Sequence, residues 1–190
     1  MSTNVYFIRH AQPDFTVRED AVRPLSAKGK EDAKSLVRVF AKVDIDHIYS
    51  SPFLRAVDTV LPLAEQRGMT ISLVEDFRER KVDSGWIEDF HTFAKRQWMD
   101  FQYKLTDGEC LAEVQERNVR ALGDILKRHP DSSIVIGTHG TALSTIFYHY
   151  DSTYGYEWFE RIRTVMPMVV KALFTDSGDV IITDMPMAIV

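Results

Sequence analysis

Asn4-Val5-Tyr6-Phe7-Ile8-Arg9 is a run of β-branched and aromatic residues ending on an arginine, and it reads as a buried strand. Its counterpart is Ser133-Ile134-Val135-Ile136-Gly137, continuously apolar like a strand that a parallel sheet covers on both faces. His47 to Ser50 reads as another strand, and Thr70 to Val74 as a weaker one. Helical patterns lie between them. Ser26 is placed to cap a helix in which Ala33, Leu36, Val37, Phe40 and Ala41 share one face. Ser51 then Pro52 predicts a second helix start, a cap followed by proline at the first helical position. That helix runs to about Gln66, where Gly68 stops it. Leu111, Val114, Leu122, Ile125 and Leu126 mark a third helix that ends near His129-Pro130, and Thr141 to Tyr150 a fourth. Met168–Thr175 and Val180–Thr183 flank Ser177-Gly178, a strand–turn–strand signal. Strands alternating with helices predict an α/β fold, a doubly wound, mostly parallel sheet with helices on both faces and a hairpin near the C-terminus.

Residues 80–107 differ in character. Trp86, Phe90, Phe93, Trp98, Phe101 and Tyr103 stand among many charges, and the segment reads as an inserted, mostly helical cap. Its aromatic residues are expected to pack against the core. Two other readings are a substrate pocket, with Lys95 or Arg96 meeting a second anionic group, and a contact between copies in a homo-oligomer. Residues 1–190 are expected to form one domain, since roughly 150 residues is the usual domain size.

Composition narrows the function classes. Hydrophobic residues are 45% and charged residues 27%, a balance that supports a packed core. The net charge of −5 lacks the field of a nucleic-acid or anionic-membrane binder, so neither partner is expected. One cysteine, Cys110, excludes an intrachain disulfide and a zinc site built mainly from thiolates. No apolar run approaches the ~20 residues of a membrane span, no export signal is visible, and the expected location is the cytoplasm.

In a sheet of this type the ligand sits beyond the carboxyl ends of the strands. Three predicted strands end in chemistry-bearing residues: Arg9-His10, Ser50-Ser51-Pro52 with Arg55 a turn later, and Thr138-His139-Gly140. If the strands are parallel neighbours, Arg9, His10, Arg55 and His139 emerge at one edge. Two guanidiniums and two imidazoles there suit a phosphate group. Arginine gives planar, bidentate donors to anionic oxygens, and a neutral imidazole is a competent nucleophile near pH 7. Helix N-termini near 52 and 140 are expected to add free N–H groups. Taken singly, an arginine reads as a surface residue and a histidine as a hydrogen-bonded core residue; position after strand ends favours the joint reading. Glu79, between Arg78 and Arg80, could equally sit in an exposed charged loop. No close-spaced ligand pair supports a metal at His10, Glu79 and His139.

These blocks, in this order, resemble the histidine phosphatase superfamily, the phosphoglycerate mutase-like proteins. The resemblance rests on Phe7-Ile8-Arg9-His10-Ala11, on Tyr49 through Thr59 (YSSPFLRAVDT), on Phe77-Arg78-Glu79-Arg80, and on Gly137-Thr138-His139-Gly140. Gly108-Glu109-Cys110 with Glu113, Val114 and Arg117 is similar to the family's Gly-Glu-Ser start of a helix. The resemblance implies that His10 is the nucleophile taking up the phosphoryl group. It implies that Arg9, Arg55 and His139 clamp the phosphoryl oxygens, and that Glu79 protonates the leaving oxygen and then assists water. No cofactor or metal is implied. Three departures stand out: Ala11 where the family has glycine, Gln12-Pro13-Asp14-Phe15 where it has Thr-x-x-Asn, and Cys110 where it has serine. The expected activity is hydrolysis of a small phosphorylated metabolite. The alternatives are a phosphoglycerate mutase and a phosphate-binding module that has lost turnover. The roughly 28 residues between Glu79 and Gly108 are short for a mutase insertion that excludes water, which favours hydrolysis.

Overall fold

The computed structural model describes residues 2–185. Its elements run β1 (Ser2–Arg9), α1 (Ala27–Val39), β2 (His47–Ser50), α2 (Leu54–Arg67), β3 (Ile71–Leu73), α3 (Phe90–Met99), α4 (Leu111–Arg128), β4 (Ser133–Thr138), α5 (Gly140–Tyr150), α6 (Tyr156–Ile162), β5 (Met168–Thr175) and β6 (Val180–Met185). The strands form one sheet in the order β3-β2-β4-β1-β5-β6. β1, β2, β3 and β4 are parallel, while β5 and β6 add an antiparallel hairpin at one side. The mostly parallel α/β sheet is therefore as expected.

Alternation along the strands builds two core layers. Val5, Phe7, Ile134 and Ile136 face one side, where Leu122 and Ile125 of α4, Leu143, Ile146 and Phe147 of α5 and Trp158 of α6 cover them. Tyr6, Ile8, Ile48 and Val135 face the other, under Leu36 of α1 and Val60 and Leu63 of α2, with Phe40 just beyond α1. Fully burying a side chain such as Phe7 or Phe147 contributes roughly 1.5–3 kcal/mol. The strands are apolar on both faces because helices cover both.

β4 lies between β1 and β2, in register from Asn4↔Ser133 to Arg9↔Thr138 on one side and from His47↔Ile134 to Ser50↔Gly137 on the other. The carboxyl ends of all three strands thus share one edge, with α1 and α2 leaving on one face and α5 on the other. This is the switch point where doubly wound sheets place ligands.

Several local expectations change. Ser26 caps α1 by accepting a hydrogen bond from the Gly29 N–H, and Gly68 ends α2 at a left-handed φ of 62°, both as expected. However, α2 begins at Leu54, and Ser51 and Pro52 precede it. Segment 80–107 holds one helix, α3; its flanks are turns and loops, not helix. Trp98 meets Tyr148 edge-on, Phe101 lies tilted against the same ring, and Trp98 also meets Phe159, so these aromatics pack onto α5 and α6. Trp86 is 60% exposed, with Arg18 lying 5.8 Å from its ring centre. The short helix α6 has no counterpart in the sequence reading.

Candidate active site

All five predicted site residues lie at the shared edge. Arg9 ends β1 and His10 follows it; His139 follows β4; Arg55 sits in the first turn of α2; Glu79 reaches the start of α5 from the segment after β3. The His10 and His139 rings are 5.3 Å apart, centre to centre. Phe53 lies 5.4 Å from the His139 ring and 5.2 Å from the Arg55 guanidinium, bridging the two. Arg9, His10, Arg55 and His139 are all buried.

The hydrogen bonds of His10 define its reactive atom. Nδ1 lies 2.8 Å from the Ala11 carbonyl oxygen. A carbonyl only accepts, so Nδ1 carries the proton and Nε2 keeps its lone pair. Ala11 is itself fixed, its N–H donating to the Thr59 hydroxyl at 2.9 Å, and that hydroxyl donates to the Arg55 carbonyl at 2.7 Å. Burial, then the charges of Arg55 and Arg9, hold the His10 imidazole well below its ordinary value of 6.5. Burial followed by Arg55, His10 and Arg9 does the same for His139. Both rings are therefore neutral near pH 7.

The guanidiniums are partly committed. Arg9 donates through Nη1 to the carbonyls of Ile162 and Val165, and through Nη2 to Arg163 at 3.1 Å, at the end of α6. Its Nε is buried with no protein partner among the described residues. Three of five N–H bonds are taken, and the Nε–Nη2 edge, suited to two oxygens of one anion, retains donors. A methyl on Gly140 would stand 3.3 Å from Nε and 3.4 Å from Nη2, so glycine gives this guanidinium its close seat beside α5. Arg55 donates Nη1 to the Asp20 carbonyl at 2.6 Å, and its Nη2 lies 3.3 and 3.4 Å from the Asp20 carboxylate oxygens. Arg23 also binds that carboxylate, at 2.8 Å, and gathers the loop through the carbonyls of Val17 and Arg18. His139 Nε2 pairs with the Ser51 hydroxyl at 2.7 Å, and its Nδ1 is buried without a partner among the described residues.

Glu79 grips the N-terminus of α5. Its carboxylate accepts from the N–H groups of Arg80 at 2.8 Å, Thr141 at 3.0 Å and Ala142 at 3.2 Å. The N–H groups of Thr141 and Ala142, expected to be free for a ligand, are therefore occupied. The other expected free terminus also differs, since the Leu54 N–H donates to the Ala21 carbonyl. Sequence reasoning missed Asp20 and Arg23 as site neighbours, and it placed Ser51 at a strand end of the site without its partner. Ser51 looked like a helix cap, and its hydroxyl instead serves His139 and accepts from the Phe53 N–H. The signal for Thr59 was present, one helical turn after Arg55.

Neutral imidazoles among buried, partly unpaired cationic donors, at the switch point of a doubly wound sheet, have the chemistry that suits a tetrahedral anion. The sequence profile of the histidine phosphatase superfamily (branch 1) matches residues 5–181, and the chain belongs to that superfamily. Its relatives are named as phosphatases and mutases. Phosphoserine phosphatase 1 of Hydrogenobacter thermophilus is 28% identical over 138 residues, covering 65% of this chain and 62% of that relative, so the match spans less than two thirds of its length. A relative from Enterobacter sp. named "Probable phosphoglycerate mutase GpmB" is 28% identical over 156 residues, 75% of this chain and 72% of that protein. In fold, the chain is similar to a mutant phosphoserine phosphatase from Entamoeba histolytica in complex with phosphoserine, with a TM-score of 0.79, 18% identity and 98% of each chain covered. Among the described residues no helix is long and apolar enough to cross a membrane.

Proposed function

We propose that the protein is a phosphomonoesterase that hydrolyses a small phosphorylated metabolite through a covalent phosphohistidine at His10. The observation that carries this reading is the fixed tautomer of His10, which leaves Nε2 unprotonated beside buried guanidinium donors. Nε2 attacks phosphorus, the bond from phosphorus to the ester oxygen breaks, and the leaving oxygen takes a proton from Glu79. Water then attacks the phosphohistidine, Glu79 accepts its proton, and inorganic phosphate leaves with the imidazole restored. Arg9, Arg55 and His139 bind the three non-bridging oxygens, where phosphoryl transfer most needs positioning and positive charge.

The phosphoglycerate mutase reading shares every step up to the phosphohistidine. Hydrolysis is favoured because segment 80–107 contains one ten-residue helix, α3, little cover for keeping water from the intermediate. Incubation with 3-phosphoglycerate and separately with a chromogenic phosphate ester distinguishes them. Phosphate release from both substrates, with little 2-phosphoglycerate formed, is expected. Isomerisation much faster than phosphate release would make the protein a mutase.

A further inference from the structure

Glu109 and Arg117 lie outside the phosphate clamp, yet every donor of Arg117 is engaged. Nε and Nη2 form a fork on the Glu109 carboxylate at 2.9 and 3.1 Å. Nη1 donates to the carbonyls of Asp76 at 2.6 Å and Arg78 at 2.9 Å, and Nη2 reaches the Glu79 carbonyl at 3.4 Å. The other face of the Glu109 carboxylate accepts from Arg78 Nη2 at 2.7 Å and from the Lys81 N–H at 2.9 Å. Burial pushes the Glu109 carboxyl up, but the hydrogen bonds from Arg117 and Lys81 and the charges of Arg117 and Arg78 outweigh it and hold it below the usual range.

The segment gripped in this way, residues 76–81, has no ladder of its own. A single 3-10 turn ends at Phe77, and beyond it the carbonyls of Arg78 and Glu79 point to Arg117. Glu79 sits in the middle of this stretch, its carboxylate at the start of α5. Bidentate Arg–carboxylate pairs fix orientation as well as distance. One pair, both members on or beside α4, thus holds the backbone around Glu79, whose carboxylate is received by the N–H groups of Arg80, Thr141 and Ala142.

We infer that Glu109 and Arg117 are positioning residues that hold the 76–81 backbone so that the Glu79 carboxyl meets the leaving oxygen. The inference rests on reading Glu79 as the acid. It gives a job to the Gly-Glu-Cys start of α4 that the phosphate clamp does not use.

The test compares kcat/KM, which covers steps only through departure of the leaving group, on an alkyl and on a p-nitrophenyl phosphate. Glu109→Gln and Arg117→Lys are expected to lower kcat/KM for the alkyl ester by about 10- to 100-fold, a partial loss of the roughly 100- to 10,000-fold that a general acid contributes. The aryl ester, whose leaving group needs little protonation, is expected to slow by less than about 3-fold. Glu79→Gln is expected to show the same selectivity, and Glu79→Gln with Glu109→Gln no further loss, because residues acting through one group are not additive. Equal slowing on both esters, or additive losses in the double variant, would make the pair merely structural and overturn the inference. If Glu79→Gln itself fails to discriminate the esters, the acid assignment fails, and that result is separable from the first. Arg117→Lys, which keeps the charge, covers the case in which Glu109→Gln does not fold.

Discussion

Arg9 faces in two directions. Two nitrogens hold the carbonyls that end α6, and the remaining edge is left for an anion. Burial holds its guanidinium down to about 10, partly offset by Glu79 and reinforced by Arg55. It therefore stays charged at neutral pH, and under the proposed mechanism it would join structure with phosphate binding in one side chain. A lysine has three donors on a single nitrogen and cannot span Ile162, Arg163 and Val165 while also meeting substrate. Arg9→Lys is expected to lower kcat/KM by at least about 100-fold, the scale of losing a preorganised donor. It is also expected to cost about 1–3 kcal/mol in urea unfolding, as buried carbonyls lose their partners. Near-normal values in both measurements would remove Arg9 from the site.

At the scale of elements, the strands were legible because their apolar runs end where polar chemistry begins. Arg9, Ser50 and Thr138 are the last residues of β1, β2 and β4, and the catalytic candidates follow these ends. What escaped the sequence was the destination of side-chain hydrogen bonds. Ser51-Pro52 has the look of a helix start, but the serine hydroxyl bonds His139 from the neighbouring strand end, so α2 opens at Leu54 without a side-chain cap. The sequence leaves the first N–H groups of α5 open for phosphate, whereas Glu79, 62 positions before Thr141, accepts from them in the fold. Segment 80–107 looked mostly helical because aromatics and charges recur through it. Much of it is held instead by tertiary bonds, such as Arg80 to Gln97 and Gln97 to the carbonyls of Tyr103 and Glu109. α6 is seven residues long with no side-chain cap, too short to leave a periodic signature.

For the whole molecule, the buried imidazoles couple stability to acidity. His10 and His139 are held well below 6.5 in the fold, whereas the unfolded chain restores ordinary values. Below pH 6.5 the unfolded state thus binds more protons than the folded one. The stability is fully present above that pH and drains away as pH falls toward the folded values. Each imidazole contributes a slope of up to about 1.4 kcal/mol per pH unit. His129, stacked on His47 at 3.7 Å, is lowered by burial and then by His47, and adds in the same direction. Urea midpoints are expected to drop between pH 7 and pH 5.5, above the range where carboxylates titrate. A flat profile there would contradict neutral, buried rings at the site.

The convergence of His10 with Arg9 at the end of β1 and Arg55 in the first turn of α2 gives the molecule its proposed chemistry, and covalent capture of the intermediate reads it directly. The protein is mixed with a phosphate ester, quenched within milliseconds, digested and assayed for phosphate bound to peptide. Acid-labile, alkali-stable phosphate on the peptide bearing His10, absent from His10→Ala, is the predicted result. Full turnover by His10→Ala, or phosphate released by wild-type enzyme with no phosphopeptide at any quench time, would contradict it.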